Sequence, residues 1–354
     1  MGGRASVGGM NLLKELCETP GISGREQLII NILKREFEAS CDSVTVDAMG
    51  NVTGFKKGTG KAPKKIMIAG HMDEIGFIVS HIDKNGFIRF SPRGGHVPRV
   101  LISQRVRIFG NGGKNATIGI VECTPFFLEK EKGASVPEIK NFYIDTGLKA
   151  SAVKKTIQIG DVIVLDREFL EQGDCYISKA FDNRVGCYVV AETMKRLKKH
   201  SCDVYAVGSS QEEVGVRGAK RAAQLVTPDI GIALDVTAAA DLPGVAEHEQ
   251  VTKLGEGVAI KINDMATISN HGIVEFMKKL AKKYKIKHQL EVLPFGGTDA
   301  LGLQMFGSGM VCTLSLPTRY VHSPNEMIHK GDLKATIDLL VKFIENVDQC
   351  EAQF

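Results

Sequence analysis

Three short apolar runs constrain the fold more than any other feature. They are Ile66-Met67-Ile68-Ala69-Gly70, Val204-Tyr205-Ala206-Val207-Gly208 and Ile230-Gly231-Ile232-Ala233-Leu234, and a fourth strand-like run occupies 310–316. Near-continuous apolar runs of this length read as strands buried on both faces. Helical spacing fills the intervals. Leu28, Ile29, Ile32 and Leu33 share one face of a helix from about Gly24, after a break at Thr19-Pro20-Gly21. Val185, Val189, Val190 and Leu197 form a stripe along 182–200, and further helices are expected over 218–225, 270–284 and 331–347. Helix–strand alternation predicts an α/β unit with a mostly parallel sheet flanked by helices.

The runs share a second habit, since each is followed within a few residues by His, Asp or Glu. His71 and Asp73 follow the first, Glu212 and Glu213 the second, Asp235 the third and His322 the last. Ligands of such sheets bind beyond the carboxyl ends of the strands. Chance yields one or two such placements, not a consistent set. Glu212 and Glu213, read alone, are an ordinary exposed acidic turn. A site that keeps both ionised needs a cation nearby, because adjacent carboxylates repel.

From 75 to 178 the texture changes. β-rich runs at 86–90, 105–109, 118–121 and 161–164 alternate with Gly-rich turns and show hardly any helical periodicity. This predicts a small β-barrel or sandwich inserted into the α/β unit, which a chain of 354 residues is long enough to hold. The catalytic unit is then 10–74 plus 179–354, and the charged loop 130–140 is expected to be mobile. Residues 1–9 read as an added leader, with Met10 as the natural start.

Composition removes several classes of partner. A formal charge of +4 is too small for a nucleic-acid binder, and the basic clusters 61–65 and 282–287 read as solvated surface. No 18-residue apolar span or signal-peptide core is present, so no membrane association is expected. Eight Cys without a Cys-x-x-Cys pair read as reduced thiols of a cytoplasmic protein.

His71, Asp182, Glu213, Asp235 and His322 supply two imidazoles and three carboxylates. One catalytic metal takes three protein ligands and leaves a position for water. Five ligands therefore suit two divalent ions, provided one carboxylate bridges. Mixed nitrogen and oxygen ligation without thiolate fits Zn²⁺, Co²⁺ or Mn²⁺. A lone His is more often a hydrogen-bonded structural residue; these two each follow a buried strand. If Glu213 binds metal, Glu212 is free to face the water as general base. Asp73 lies two residues past His71, within reach of its second ring nitrogen.

Four motifs carry a resemblance. His71-Met72-Asp73-Glu74-Ile75-Gly76-Phe77, Ala180-Phe181-Asp182-Asn183-Arg184, the stretch from Gln211-Glu212-Glu213 to Arg217-Gly218-Ala219, and Arg319-Tyr320-Val321-His322-Ser323-Pro324 resemble the TET/glutamyl-aminopeptidase family of dinuclear metallopeptidases. The similarity runs in matching order from about Met10 to the C-terminus. It implies that Asp182 bridges the ions, with His71 and Asp235 on one and Glu213 and His322 on the other. It also implies Glu212 as general base, Asp73 as orienter of His71, a PDZ-like β insertion, and dimers assembling into a dodecamer that acts on small peptides with free N-termini. Some members carry an endoglucanase label, but a chain with no Trp and 6% aromatics offers little for sugar stacking. A dinuclear deacetylase or carboxypeptidase would keep the site and change the substrate, and a non-catalytic scaffold would assemble without turnover. The expected pocket walls are 295–298 and the loop 237–249, whose Asp241, Glu247 and Glu249 would favour basic side chains.

Overall fold

Ile66, Ile68, Val204, Ala206, Ile230 and Ile232 face one side of a central sheet, and Met67, Ala69, Val207 and Ala233 face the other, all at most 1% exposed. Burial on both sides is what the unalternating runs require, and it forces helices onto each face. A computed structural model describes residues 7–110, 115–124 and 137–351. The chain opens with α1 (Val7–Glu18), α2 (Gln27–Glu38), β1 (Ser43–Val46), β2 (Val52–Lys56) and β3 (Lys65–His71). A second unit follows: β4 (Gly76–Ile82), β5 (Ile88–Arg93), β6 (Arg105–Gly110), β7 (Asn115–Glu122), β8 (Tyr143–Asp145), α3 (Ala150–Thr156) and β9 (Val162–Leu165). The chain then returns through β10 (Leu170–Gln172), β11 (Cys175–Ser178), α4 (Phe181–Arg196), β12 (Asp203–Ser209), α5 (Arg217–Val226) and β13 (Ile230–Ala238). It closes with β14 (Val258–Asn263), α6 (His271–Tyr284), β15 (His288–Val292), α7 (Ala300–Phe306), β16 (Val311–Arg319), β17 (Glu326–His329) and α8 (Lys330–Glu345).

The large sheet has the order β1-β2-β12-β3-β13-β16-β17-β11-β10, with β14 and β15 branching from β16. Its centre, β12-β3-β13-β16, is parallel, and β14 is parallel to β15. The flanks are antiparallel. Helices α1, α2, α4, α6 and α8 bury their apolar residues on one face, and α5 with α7 covers the other. β4, β5, β8, β7, β6 and β9 close into a barrel with its own core of Phe77, Val79, Ile88, Val106, Ile108 and Ile163 among others.

Several expectations shift on inspection. The barrel strands span 76–165, whereas β10 and β11, counted with the insertion, pair within the large sheet. α4 stops at Arg196 instead of reaching 200, because Leu197 is already extended. The barrel contains α3, seven residues long and too short to show a helical period. α1 takes in residues 7–9 of the expected leader; its first six residues, and 130–136 of the charged loop, lie outside the described residues.

Candidate active site

The parallel strands deliver the polar residues to one edge. His71 is the last residue of β3 and pairs with Ser209, the last of β12. Glu212 and Glu213 lie just past β12, Asp235 lies within β13, and His322 lies just past β16. Asp182 comes from another layer. It follows Ala180 (φ 59°) in the opening turn of α4, where Asp182 and Asn183 are non-helical and their peptide is cis. Glycines bring that turn close, since a Cβ on Gly70 would lie 2.7 Å from the Gly186 carbonyl carbon. The bare backbones of β3 and α4 thus set Asp182 against His71.

Asp182 has one carboxylate oxygen for each histidine. Oδ1 lies 3.2 Å from His71 Nε2 and Oδ2 lies 3.2 Å from His322 Nε2. Glu213 Oε1 is 3.4 Å from His322 Nε2, and Asp235 Oδ1 is 3.9 Å from His71 Nε2. Two groups result, His71-Asp182-Asp235 and Asp182-Glu213-His322, each with its ligand atoms within 4.8 Å of one another. They share Asp182. Glu212 belongs to neither group; its Oε2 is 3.8 Å from His71 Nε2.

The donor set fits divalent cations. Glu213 Oε1 is buried and, among the described residues, has only the 3.4 Å approach of His322 Nε2, which leaves acceptor capacity that a cation would satisfy. Among the described residues, no Lys or Arg pairs with Asp182, Glu212, Glu213 or Asp235. The two histidines, rather than a Lys or Arg, face these carboxylates. Burial opposes protonation of His322, but bonds to Asp182 and Glu213 outweigh it and raise its pKa to about 11. His71 is raised in the same way, against its burial, chiefly by Asp182 and Asp73. Burial pushes Glu212 and Asp235 well above the usual carboxylate range despite the nearby His71. Asp182 goes the other way, because the two histidines overcome its burial.

Asp73 meets His71 through a different atom from the one expected. His71 Nδ1 is 3.0 Å from the Asp73 backbone carbonyl, whereas the carboxylate Oδ1 is 3.6 Å away. The shorter contact is the hydrogen bond. The carboxylate accepts the amides of Glu212 (2.9 Å) and Glu213 (3.2 Å) and the Ser23 hydroxyl (2.6 Å). That carboxylate stays beside the ring at 3.6 Å while it accepts the Glu212 and Glu213 amides, and the carbonyl takes the ring's hydrogen bond.

Other residues went unassigned in the sequence. Glu326, 2% exposed, accepts the Asp182 and His322 amides at 3.0 Å each; burial, then Asp182, raises its pKa to about 8. Its place four residues after His322 is the signal that points to it. Asp299 accepts the Ser209 hydroxyl, and burial raises its pKa to about 6. It lies seven residues past β15, a mixed polar strand, so no apolar run points to it. Glu26 accepts the amide of Gln211 at 3.1 Å. Gln211, Tyr320 and His322 all have left-handed backbones (φ 56°, 61° and 61°). Strain of about 1–3 kcal/mol per such residue persists only where surrounding bonds over-determine it.

A cavity of about 800 Å³ opens from the cluster and is lined by 295–298 as expected. Asp241, Glu247 and Glu249 are not among its walls; Asp241 pairs with Arg319 at 2.7 Å instead.

The model of the family described as M42 glutamyl aminopeptidase matches residues 50–339. The lysyl aminopeptidase of Pyrococcus furiosus is 34% identical over 95% of this chain and 96% of its own length. The glutamyl aminopeptidase of Lactococcus lactis subsp. cremoris is 31% identical over 90% and 91%. Among solved structures, an aminopeptidase from the archaeon Desulfurococcus kamchatkensis matches with a TM-score of 0.93, 38% identity and 98% coverage of both chains. A Pyrococcus horikoshii TET peptidase, described as assembling into a tetrahedron or a large octahedral shell, gives 0.84 at 29% identity, covering 95% and 99%. A Thermotoga maritima structure described as an endoglucanase gives 0.79 at 29%, covering 96% and 98%. With its family model matched over most of its length and aminopeptidases aligned nearly end to end, the chain belongs to the M42 glutamyl aminopeptidase family of peptide hydrolases.

Proposed function

We propose that the protein releases N-terminal residues from peptides by water attack at a centre for two divalent ions, Zn²⁺ or Co²⁺ foremost and Mn²⁺ also suited. The observation that carries this reading is Asp182, whose two oxygens separately face two histidine-bearing ligand groups. His71 and Asp235 would hold one ion, Glu213 and His322 the other, and Asp182 both. Divalent ions at such a centre supply Lewis acidity, which activates water near neutral pH and polarises a carbonyl.

The chain's own residues do the rest. Glu212, outside both ligand groups, accepts the proton of the attacking water and returns it to the leaving amine. Asp73 fixes Glu212 and Glu213 together by gripping both amides. Glu326 does the same for Asp182 and His322. An ion held at such a centre would also take the substrate's free α-amine, which would make a free chain end part of recognition.

The catalytic unit comprises 10–74 plus 179–354, extended by β10 and β11, which pair in its sheet. The inserted barrel of 76–165 serves dimerisation and assembly toward a dodecamer, and the cytoplasm is the compartment. Metal-depleted protein resupplied with Zn²⁺, Co²⁺ or Mn²⁺ tests the reaction. Turnover is expected on aminoacyl p-nitroanilides and not on their N-acetylated forms. Equal cleavage of the blocked substrates would point to a deacetylase or an endo-acting enzyme instead. The endoglucanase reading gains nothing from the cavity, whose aromatic walls among the described residues are Phe295 and Tyr320.

A further inference from the structure

The cavity beside the cluster has a character of its own. Ala238, Ala239, Ala240, Leu242, Leu293 and Phe295 form a run of apolar wall. Phe295 (54% exposed), Tyr320 (49%) and Val97 (51%) leave apolar surface open to solvent around the same cavity. Exposed apolar surface gathered at a concave site marks ligand contact more often than chance. Beyond the acids and histidines of the cluster, Lys261 is the one charged residue in the wall among the described residues.

Lys261 is already committed. Its ammonium is 3.0 Å from Glu291 Oε1 and 3.2 Å from Asp264 Oδ2, and all three side chains are at most 1% exposed. Neither carboxylate lines the cavity. A lysyl or arginyl side chain entering here would meet an ammonium, and the carboxylates in the wall are those of the cluster, which the two ions would occupy. A glutamyl or aspartyl side chain would meet an ammonium shared by two carboxylates. Either charge would lose its water without gaining a partner. An aliphatic side chain gains in proportion to the surface it buries against the alanines, Leu242, Leu293 and Phe295.

We infer that this cavity receives the side chain of the residue to be released, and that it selects uncharged aliphatic residues of leucine or methionine size over acidic and basic ones. The inference rests on the aminopeptidase reading and adds the substrate class to it. Charge selectivity, where relatives are named for lysyl or glutamyl substrates, has no counterpart in these walls.

The test is a panel of leucyl, methionyl, alanyl, glutamyl and lysyl p-nitroanilides on the metal-loaded protein. Leucyl or methionyl kcat/KM should exceed glutamyl and lysyl by about tenfold or more, and alanyl by at least about tenfold, the scale of missing methylenes in an apolar pocket. A glutamyl or lysyl preference would overturn the inference and leave the aminopeptidase reading standing. No turnover on any free-amine substrate would sink both. Binding provides a readout apart from turnover. In the Glu212→Gln variant, L-leucine should raise Tm at concentrations where L-glutamate and L-lysine do not, and equal shifts would count against the pocket. Ala240→Asp places a carboxylate in the half-buried wall and should raise the lysyl-to-leucyl ratio about tenfold or more. An unchanged ratio would show that the wall does not meet the substrate side chain.

Discussion

Glu212 and Glu213 are adjacent in sequence yet stand in different relations to the cluster. Glu213 shares a ligand group with Asp182 and His322, and Glu212 stands clear of both groups. Glu212→Gln is accordingly expected to keep its metal content while kcat falls about 10²–10⁴-fold, the usual worth of a positioned proton acceptor. Near-normal kcat in that variant would remove Glu212 from the mechanism. Glu326→Gln should cost about 10–100-fold in metal affinity, because an amide cannot accept both the Asp182 and His322 N–H groups as the carboxylate does. A metal titration of the variant checks this. At this scale much was legible, since every strand-end acid and histidine singled out in the sequence comes to one edge of the sheet. What escaped was the direction of hydrogen bonds. Spacing alone put the Asp73 carboxylate on the His71 ring, but the chain turn gives the ring a carbonyl and the carboxylate to two amides. Glu326 escaped because it acts through backbone groups that no side-chain pattern advertises.

α4 joins the buried core to the site. Its apolar stripe predicted the buried face, and Val185, Val189 and Val190 are indeed at most 1% exposed. Its first turn was not legible: a left-handed Ala180 and a non-helical Asp182 leave no periodicity to read. Nor was the burial of Arg184, which is 0% exposed and donates to the carbonyls of Leu16 (2.5 Å), Thr19 (2.7 Å) and Gly21 (3.0 Å). Arg184 and Lys179 both pair with Glu74, at 3.2 and 2.5 Å, which ties the N-terminal segment to the end of β3. Arg184→Met should destabilise the fold by about 3–5 kcal/mol, because Glu74 keeps Lys179 but the Leu16, Thr19 and Gly21 carbonyls lose a buried donor, at about 1–3 kcal/mol for each unsatisfied group. Denaturant unfolding measures it. Gly70→Ala should separate β3 from α4, because its Cβ would lie 2.7 Å from Gly186 backbone. Overpacking of this kind costs about 1–3 kcal/mol. Metal binding should weaken with it, as His71 and Asp182 sit on the two elements that part. A Gly70→Ala protein with unaltered metal affinity would show that this close approach does not set the site.

The whole molecule pairs a helix-covered sheet with a barrel that has a separate core. That division was legible as a change of texture near residue 75. Its far boundary was not, because β10 and β11 are β-rich like the barrel yet extend the large sheet. The barrel also presents Ile118 and Ile120 outward from β7, 47% and 39% exposed. If the insertion serves assembly, Ile118→Lys/Ile120→Lys should reduce the sedimenting mass toward that of the 38.4 kDa chain while leaving turnover per chain intact. Parent-like sedimentation of the variant would assign assembly to another surface. A two-ion centre bridged by Asp182 is open to a direct count of ions. Metal-depleted protein titrated with Co²⁺, followed together by elemental analysis and aminoacyl turnover, should take up two ions per chain as turnover rises, and Asp182→Ala should hold fewer than two. Saturation at a single ion, or full turnover by the metal-depleted protein, would contradict it.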